Sequence, residues 1–196
     1  MNIDLLTLLP GLVLGTLLAT AVWHDLATRR IPNLLILPGL FAGVALNLLL
    51  PPGAGPFQWP VGGIGGGAAL AGAGGGLLLL LPMYALGALG AGDVKLLAMV
   101  GAFLGPQAIM AVALLSLLAG GVLSLVVAIW LGVLPQVLRN VYAMVFSTVL
   151  RTLGGAGAAL DAPARPSGRL AYAVAILSGT LIYAALLHTT LREFLS

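Results

Sequence analysis

Two aspartates, Asp25 and Asp93, are the residues of this chain whose types and spacing suit chemistry. The chain carries only five carboxylate side chains in 196 residues. Asp93 lies in Gly90-Ala91-Gly92-Asp93-Val94-Lys95, between apolar runs long enough for a bilayer. A charge near a bilayer core costs about 3 kcal/mol or more on insertion scales, so a residue of this kind marks function by default. Two carboxylates close together in a low dielectric do not both ionise easily. The ionised one can take a proton from water, while the protonated one hydrogen-bonds a carbonyl and later assists the leaving amine. That is aspartic peptidase chemistry, which uses no metal, no cofactor and no nucleophilic side chain. The pair titrates as a unit, so the spacing does not say which aspartate is acid and which base.

Composition says what must position them. The chain is 61% hydrophobic and 7% charged, with a mean hydropathy of +1.16, where a soluble domain carries about 25% charged residues. An all-α, polytopic membrane protein of one domain, residues 1–196, follows. The net charge of +3 bears on topology, and no basic run with interleaved aromatics points to nucleic acid. The absence of cysteine excludes disulfides, thiolate metal sites and a cysteine nucleophile. Ala19-Thr20-Ala21 resembles a signal cleavage site, but no Lys or Arg precedes Arg29, so the first apolar run is expected to be retained.

About six spans are expected. The first runs from about Leu5 to Trp23 and the second from about Leu34 to Leu50, with Pro32 in the first turn of the second. A turn-rich loop, Pro51 to Pro60, leads to a third span from about Val61. Its glycine pairs Gly62/Gly66, Gly63/Gly67 and Gly72/Gly76 suit close helix approach. No Lys-Ser/Thr follows that tract, which argues against a phosphate loop. The third span either continues through Pro82 or breaks there. The fourth, from about Asp93 to Leu104, is short and ends at Gly105-Pro106, and the fifth runs from about Gln107 to Leu131. Residues 135–153 read as an amphipathic interfacial helix, 154–168 as a loop, and Arg169 to His188 as the sixth span.

Lys and Arg placement sets the orientation. Arg29, Arg30, Lys95, Arg139, Arg151, Arg165 and Arg169 fall on one side and Arg192 on the other. The first side is expected to be cytoplasmic, with both termini extracytoplasmic. Asp25 and Asp93 are then an even number of crossings apart and can meet. Asp4 and Glu193 lie on the opposite side, and Asp161 lies in the 154–168 loop. Lys95 either snorkels or pairs with Asp93, although a spacing of two disfavours a direct helical pair. His24 reads as an interfacial histidine and His188 as incidental.

Asp25 with Arg29-Arg30-Ile31-Pro32-Asn33, and Gly90-Ala91-Gly92-Asp93-Val94-Lys95 running into Leu96-Leu97-Ala98, resemble the type IV prepilin peptidases, membrane aspartic peptidases of the GxGD group. Ala171-Tyr172-Ala173 is a weaker match, with Ala171 where relatives often carry proline. The resemblance implies Asp25 and Asp93 as the catalytic pair, and Gly90, Gly92, Lys95, Pro32, Asn33 and Tyr172 are expected to shape the site. It implies a substrate prepilin with a class III signal peptide, cut at the cytoplasmic face of a bacterial inner membrane, and contact with pilus assembly machinery. Without the paired cysteines of the larger members, the chain resembles the short, peptidase-only branch of Tad/Flp systems. Two rival readings are a proton-coupled transporter with Asp93 and Lys95 as relay, and a non-catalytic partner in a secretion complex. No acid lies in the outer half of any expected span, which weighs against the transporter.

Overall fold

A computed structural model of the protein describes residues 5–85, 87–153 and 171–195. The described residues form six α-helices and no named strand: α1 (Leu5–Thr28), α2 (Asn33–Leu49), α3 (Gly66–Ala85), α4 (Ala91–Trp130), α5 (Leu134–Leu153) and α6 (Tyr172–Leu195). Helix is the expected outcome for apolar runs of this length, because in lipid each segment must satisfy its own backbone. Leu8–Thr28, Gly66–Ala85 and Ala91–Trp130 are long and apolar enough to cross a membrane, and Asn33–Leu49 and Tyr172–His188 are shorter apolar helices. Leu12, Phe41, Leu78, Leu118 and Leu181, on five different helices, are exposed, as a lipid-facing surface requires.

α4 is not one rod. Gly105 has φ 82 and ψ 176 and is followed by Pro106, which divides the helix into arms 91–104 and 106–130. A straight α-helix would hold positions 93 and 120 about 40 Å apart. Yet a side chain at Gly120 would meet the Tyr172 ring at 2.9 Å, and Tyr172 also feels the charge of Asp93. The arms therefore fold back on each other. They supply most of the core, including Leu96, Leu97, Met99, Val100, Phe103, Ile109 and Val112, and α4 packs against every other helix.

The turn is locked by Asn47. Ala102 and Phe103 end the first arm with carbonyls that would serve the N–H groups of residues 106 and 107, and Pro106 has none to give. The Asn47 amide nitrogen lies 2.9 Å from the Ala102 carbonyl, 3.2 Å from that of Phe103 and 3.0 Å from that of Gly43. Its Oδ1 accepts the Ile64 N–H at 3.1 Å, fastening the 50–65 loop to the same spot.

The third span differs at its start from the sequence expectation. α3 begins at Gly66, so Gly62, Gly63 and Gly65 belong to the preceding loop. There Gly62 faces the Pro51 carbonyl and Gly63 the Asn47 carbonyl, each leaving no room for a side chain. The expected pairs Gly62/Gly66 and Gly63/Gly67 therefore do not form a helical seam. Gly72/Gly76 does: Gly72 lies against the Gly101 backbone and Gly76 against the Leu97 carbonyl, so α3 runs antiparallel to the first arm. Pro82 lies inside α3, which continues to Ala85. The segment expected to be an interfacial helix is helical, as α5, and the 154–168 loop and Arg169 lie outside the described residues.

Candidate active site

Four helix ends meet opposite the Asn47 turn: the C-terminus of α1 and the N-termini of α2, α4 and α6. Asp25 sits in the last turn of α1, 7% exposed. α1 stops four residues later at Arg29, whose φ of 55 is left-handed and whose N–H closes on the Asp25 carbonyl at 2.9 Å. The Asp25 Oδ2 accepts the Ala173 N–H at 3.2 Å. That N–H is among those at a helix start with no intrahelical partner, and the positive end of the α6 dipole favours a carboxylate there.

Asp93 lies in the first turn of α4. Gly90 is the N-cap, extended at φ −82 and ψ 153, and its N–H donates to Asp93 Oδ2 at 3.0 Å. Asp93 is thus the returning half of a capping box. The Asp25 carboxylate bears electrostatically on Asp93, and Asp93 in turn on Tyr172. The structure accordingly brings Asp25, Asp93 and Tyr172 into one neighbourhood. Tyr172 opens α6, its ring against Gly120 and its hydroxyl buried without a hydrogen-bond partner.

The surrounding motif residues interlock. Pro32 caps α2 in extended geometry, and its carbonyl accepts the Leu35 N–H at 3.0 Å. Asn33 Oδ1 accepts from Lys95 Nζ at 3.0 Å. Lys95 therefore ties the first motif to the second rather than neutralising Asp93, and this bond is exposed. A side chain at Gly92 would lie 3.3 Å from Ile31, and one at Gly90 3.2 Å from Asp93 Oδ2. The space these glycines leave is filled by Ile31 and by the Asp93 carboxylate. Among the described residues no group of three or more His, Cys, Asp or Glu side chains is placed to hold a metal.

Two participants were not singled out in the sequence. One is the Ala173 N–H, a backbone group with no side-chain signature. The other is Gly120, which with Gly121 forms a small-residue pair in an apolar run, a pattern that does not say what packs against it.

The first arm of α4 is about 21 Å long, against about 30 Å for a hydrocarbon layer. The second arm passes the level of the site at Gly120 and continues to Trp130, about 15 Å further. The second arm thus stands beyond the level at which the other four helix ends meet.

Comparison with known proteins identifies the chain at the level of family. No curated protein and no solved structure gives a significant match. The profile of the type IV leader peptidase family matches residues 12–125, more than half of the chain and a stretch holding Asp25, Asn33, Asp93 and Lys95. The chain belongs to the type IV leader peptidase family.

Proposed function

We propose that the protein is an aspartic endopeptidase that removes the cytoplasmic leader from type IV, Flp-like prepilins, using Asp25 and Asp93 and one activated water. The observation that carries this reading is that Asp25, from α1, and Asp93, from α4, lie near enough for the charge of one to bear on the other, in a chain that belongs to a leader peptidase family. One carboxylate takes the proton of the attacking water and the other supplies a proton to the carbonyl oxygen. In this reading α1, α2, α3, the two arms of α4 and α6 each cross the membrane, and the Lys and Arg residues gathered at this end favour the cytoplasmic side for it. The step between Trp130 and the other helix ends gives water and a leader a way to the dyad while the apolar helix of the substrate stays in lipid.

The test is leader cleavage by the purified protein in liposomes. Asp25→Asn and Asp93→Asn are each expected to abolish cleavage while insertion and melting behaviour persist. Processing at the normal rate by either variant would contradict the dyad. Proton flux that disappears with Asp93→Asn would instead support a transporter.

A further inference from the structure

The hydroxyl of Tyr172 is buried and makes no hydrogen bond. Buried polar groups are nearly always paired, because leaving one unpaired forfeits its solvation with nothing in return. An orphan therefore calls for an explanation, and the place of this one supplies it. Tyr172 is the first residue of α6, next to Ala173, whose N–H holds Asp25. Its ring rests on Gly120, where a Cβ would intrude to 2.9 Å from Cε2 and 3.2 Å from the Ala175 side chain. Asp93 is close enough for its charge to act on the phenol. The ring is fixed on one side by the second arm of α4, and the hydroxyl is left within reach of the Asp93 charge with nothing to bond. The other orphan among the described residues, Ser116 Oγ, faces Gly179 where α4 and α6 cross. Close packing of those helices accounts for it.

We propose that Tyr172 is a third catalytic residue, whose phenol donates a hydrogen bond to the carbonyl oxygen of the scissile peptide as that carbon becomes tetrahedral. This rests on the Asp25/Asp93 reading of the site. In the balanced reaction, water bonds through oxygen to the carbonyl carbon and gives a proton to one carboxylate. The other carboxyl protonates the carbonyl oxygen. The C–N bond then breaks as nitrogen takes a proton, leaving a carboxylic acid and an amine. The phenol keeps its proton throughout and steadies the oxygen while negative charge gathers on it. Gly120 is a positioning residue: it sets where the ring lies and so where the hydroxyl points.

The experiment is steady-state leader cleavage in liposomes by Tyr172→Phe, Gly120→Ala, the double variant, and Asp25→Asn as reference. Tyr172→Phe keeps the ring against Gly120 and removes only the donor. Its kcat is expected to fall about 10²- to 10³-fold, the usual effect of deleting one such donor, with KM changed less than about 3-fold. Gly120→Ala, which displaces the ring, is expected to lower kcat by about 10-fold in the native background. In the Tyr172→Phe background it should do almost nothing, since the displaced group is already gone. Normal kcat for Tyr172→Phe, a loss carried by KM alone, or full additivity of the two substitutions would overturn the proposal. If Tyr172→Phe inserts poorly, the Gly120→Ala effect on kcat decides alone, because the hydroxyl is then still present. An active Asp25→Asn would sink the dyad instead, so the two failures are told apart.

Discussion

The two ends of the bundle treat their polar groups in opposite ways. At the Asn47 end one amide satisfies the carbonyls that Gly105 and Pro106 leave open and also holds the following loop through Ile64. At the carboxylate end Asp25 has one backbone N–H from α6, Asp93 has the N–H of its own cap, and the Tyr172 hydroxyl has no partner. Asn47, Asp25 and the Tyr172 hydroxyl are all buried, where an unsatisfied group is expensive. The first end satisfies its own polar groups, and the second leaves the Tyr172 hydroxyl unsatisfied. A substrate peptide and a water are what a leader peptidase would bring there.

The largest expected effect sharpens that contrast at the carboxylate end. Asp25→Asn and Asp93→Asn should each abolish leader cleavage, and the double variant should be no worse than either single one, because groups that act as a unit are not additive. Neither change should lower the melting temperature appreciably. A variant pair whose losses multiply would mean that the two aspartates act separately.

The matching change at the other end should behave in reverse. Asn47→Leu leaves buried carbonyls at Ala102 and Phe103 and is expected to cost about 2–4 kcal/mol in detergent unfolding. Cleavage per folded molecule should be nearly normal. A stability change under about 0.5 kcal/mol would show that this amide does not lock the turn.

Between the ends, Gly72→Ala and Gly74→Ala test the α3–α4 seam. A Cβ at Gly72 collides with the Gly101 backbone, while one at Gly74 meets nothing within 4 Å. The first should destabilise by about 2 kcal/mol or more. The second should be neutral or stabilising by up to about 1 kcal/mol, through helix propensity. Equal effects would refute the packing described here.

The smallest effect is expected from Lys95→Met. It removes an exposed bond to Asn33, which is worth about 0.5–1 kcal/mol, and should lower cleavage only a few-fold. Complete loss of cleavage with normal insertion would move Lys95 from holding two motifs together to the chemistry itself.

Much of the carboxylate end was legible in the sequence, because carboxylates are scarce in this chain and lipid makes a charge costly. Asp25 and Asp93 stood out for that reason, and an even number of crossings suggested that they could meet. Gly105-Pro106 gave the turn, since proline cannot donate and glycine accepts a left-handed φ. The Asn47 end was less legible. Asn47 is a single amide within an apolar run, and its partners are backbone carbonyls of a distant helix, which carry no residue signature. Gly62 and Gly63 share the four-residue spacing of a helical seam with Gly66 and Gly67. They are small because a loop backbone presses on them, and spacing does not distinguish the two causes. Lys95 was read against its sequence neighbour Asp93, whereas Asn33, its partner, depends on how α2 and α4 come together.

The central claim, that Asp25 and Asp93 share one site, has a direct test. The chain has no cysteine, so Asp25→Cys combined with Asp93→Cys introduces a single pair of thiols. The measurement is the rate of intramolecular cross-linking by a short bis-maleimide in native membranes, read as a linked product after cutting an engineered site in the 51–60 loop. Rapid cross-linking is expected, far faster than for Asp93→Cys combined with Leu50→Cys at the opposite end of the bundle. Equal rates for the two pairs would place the carboxylates apart and contradict the account.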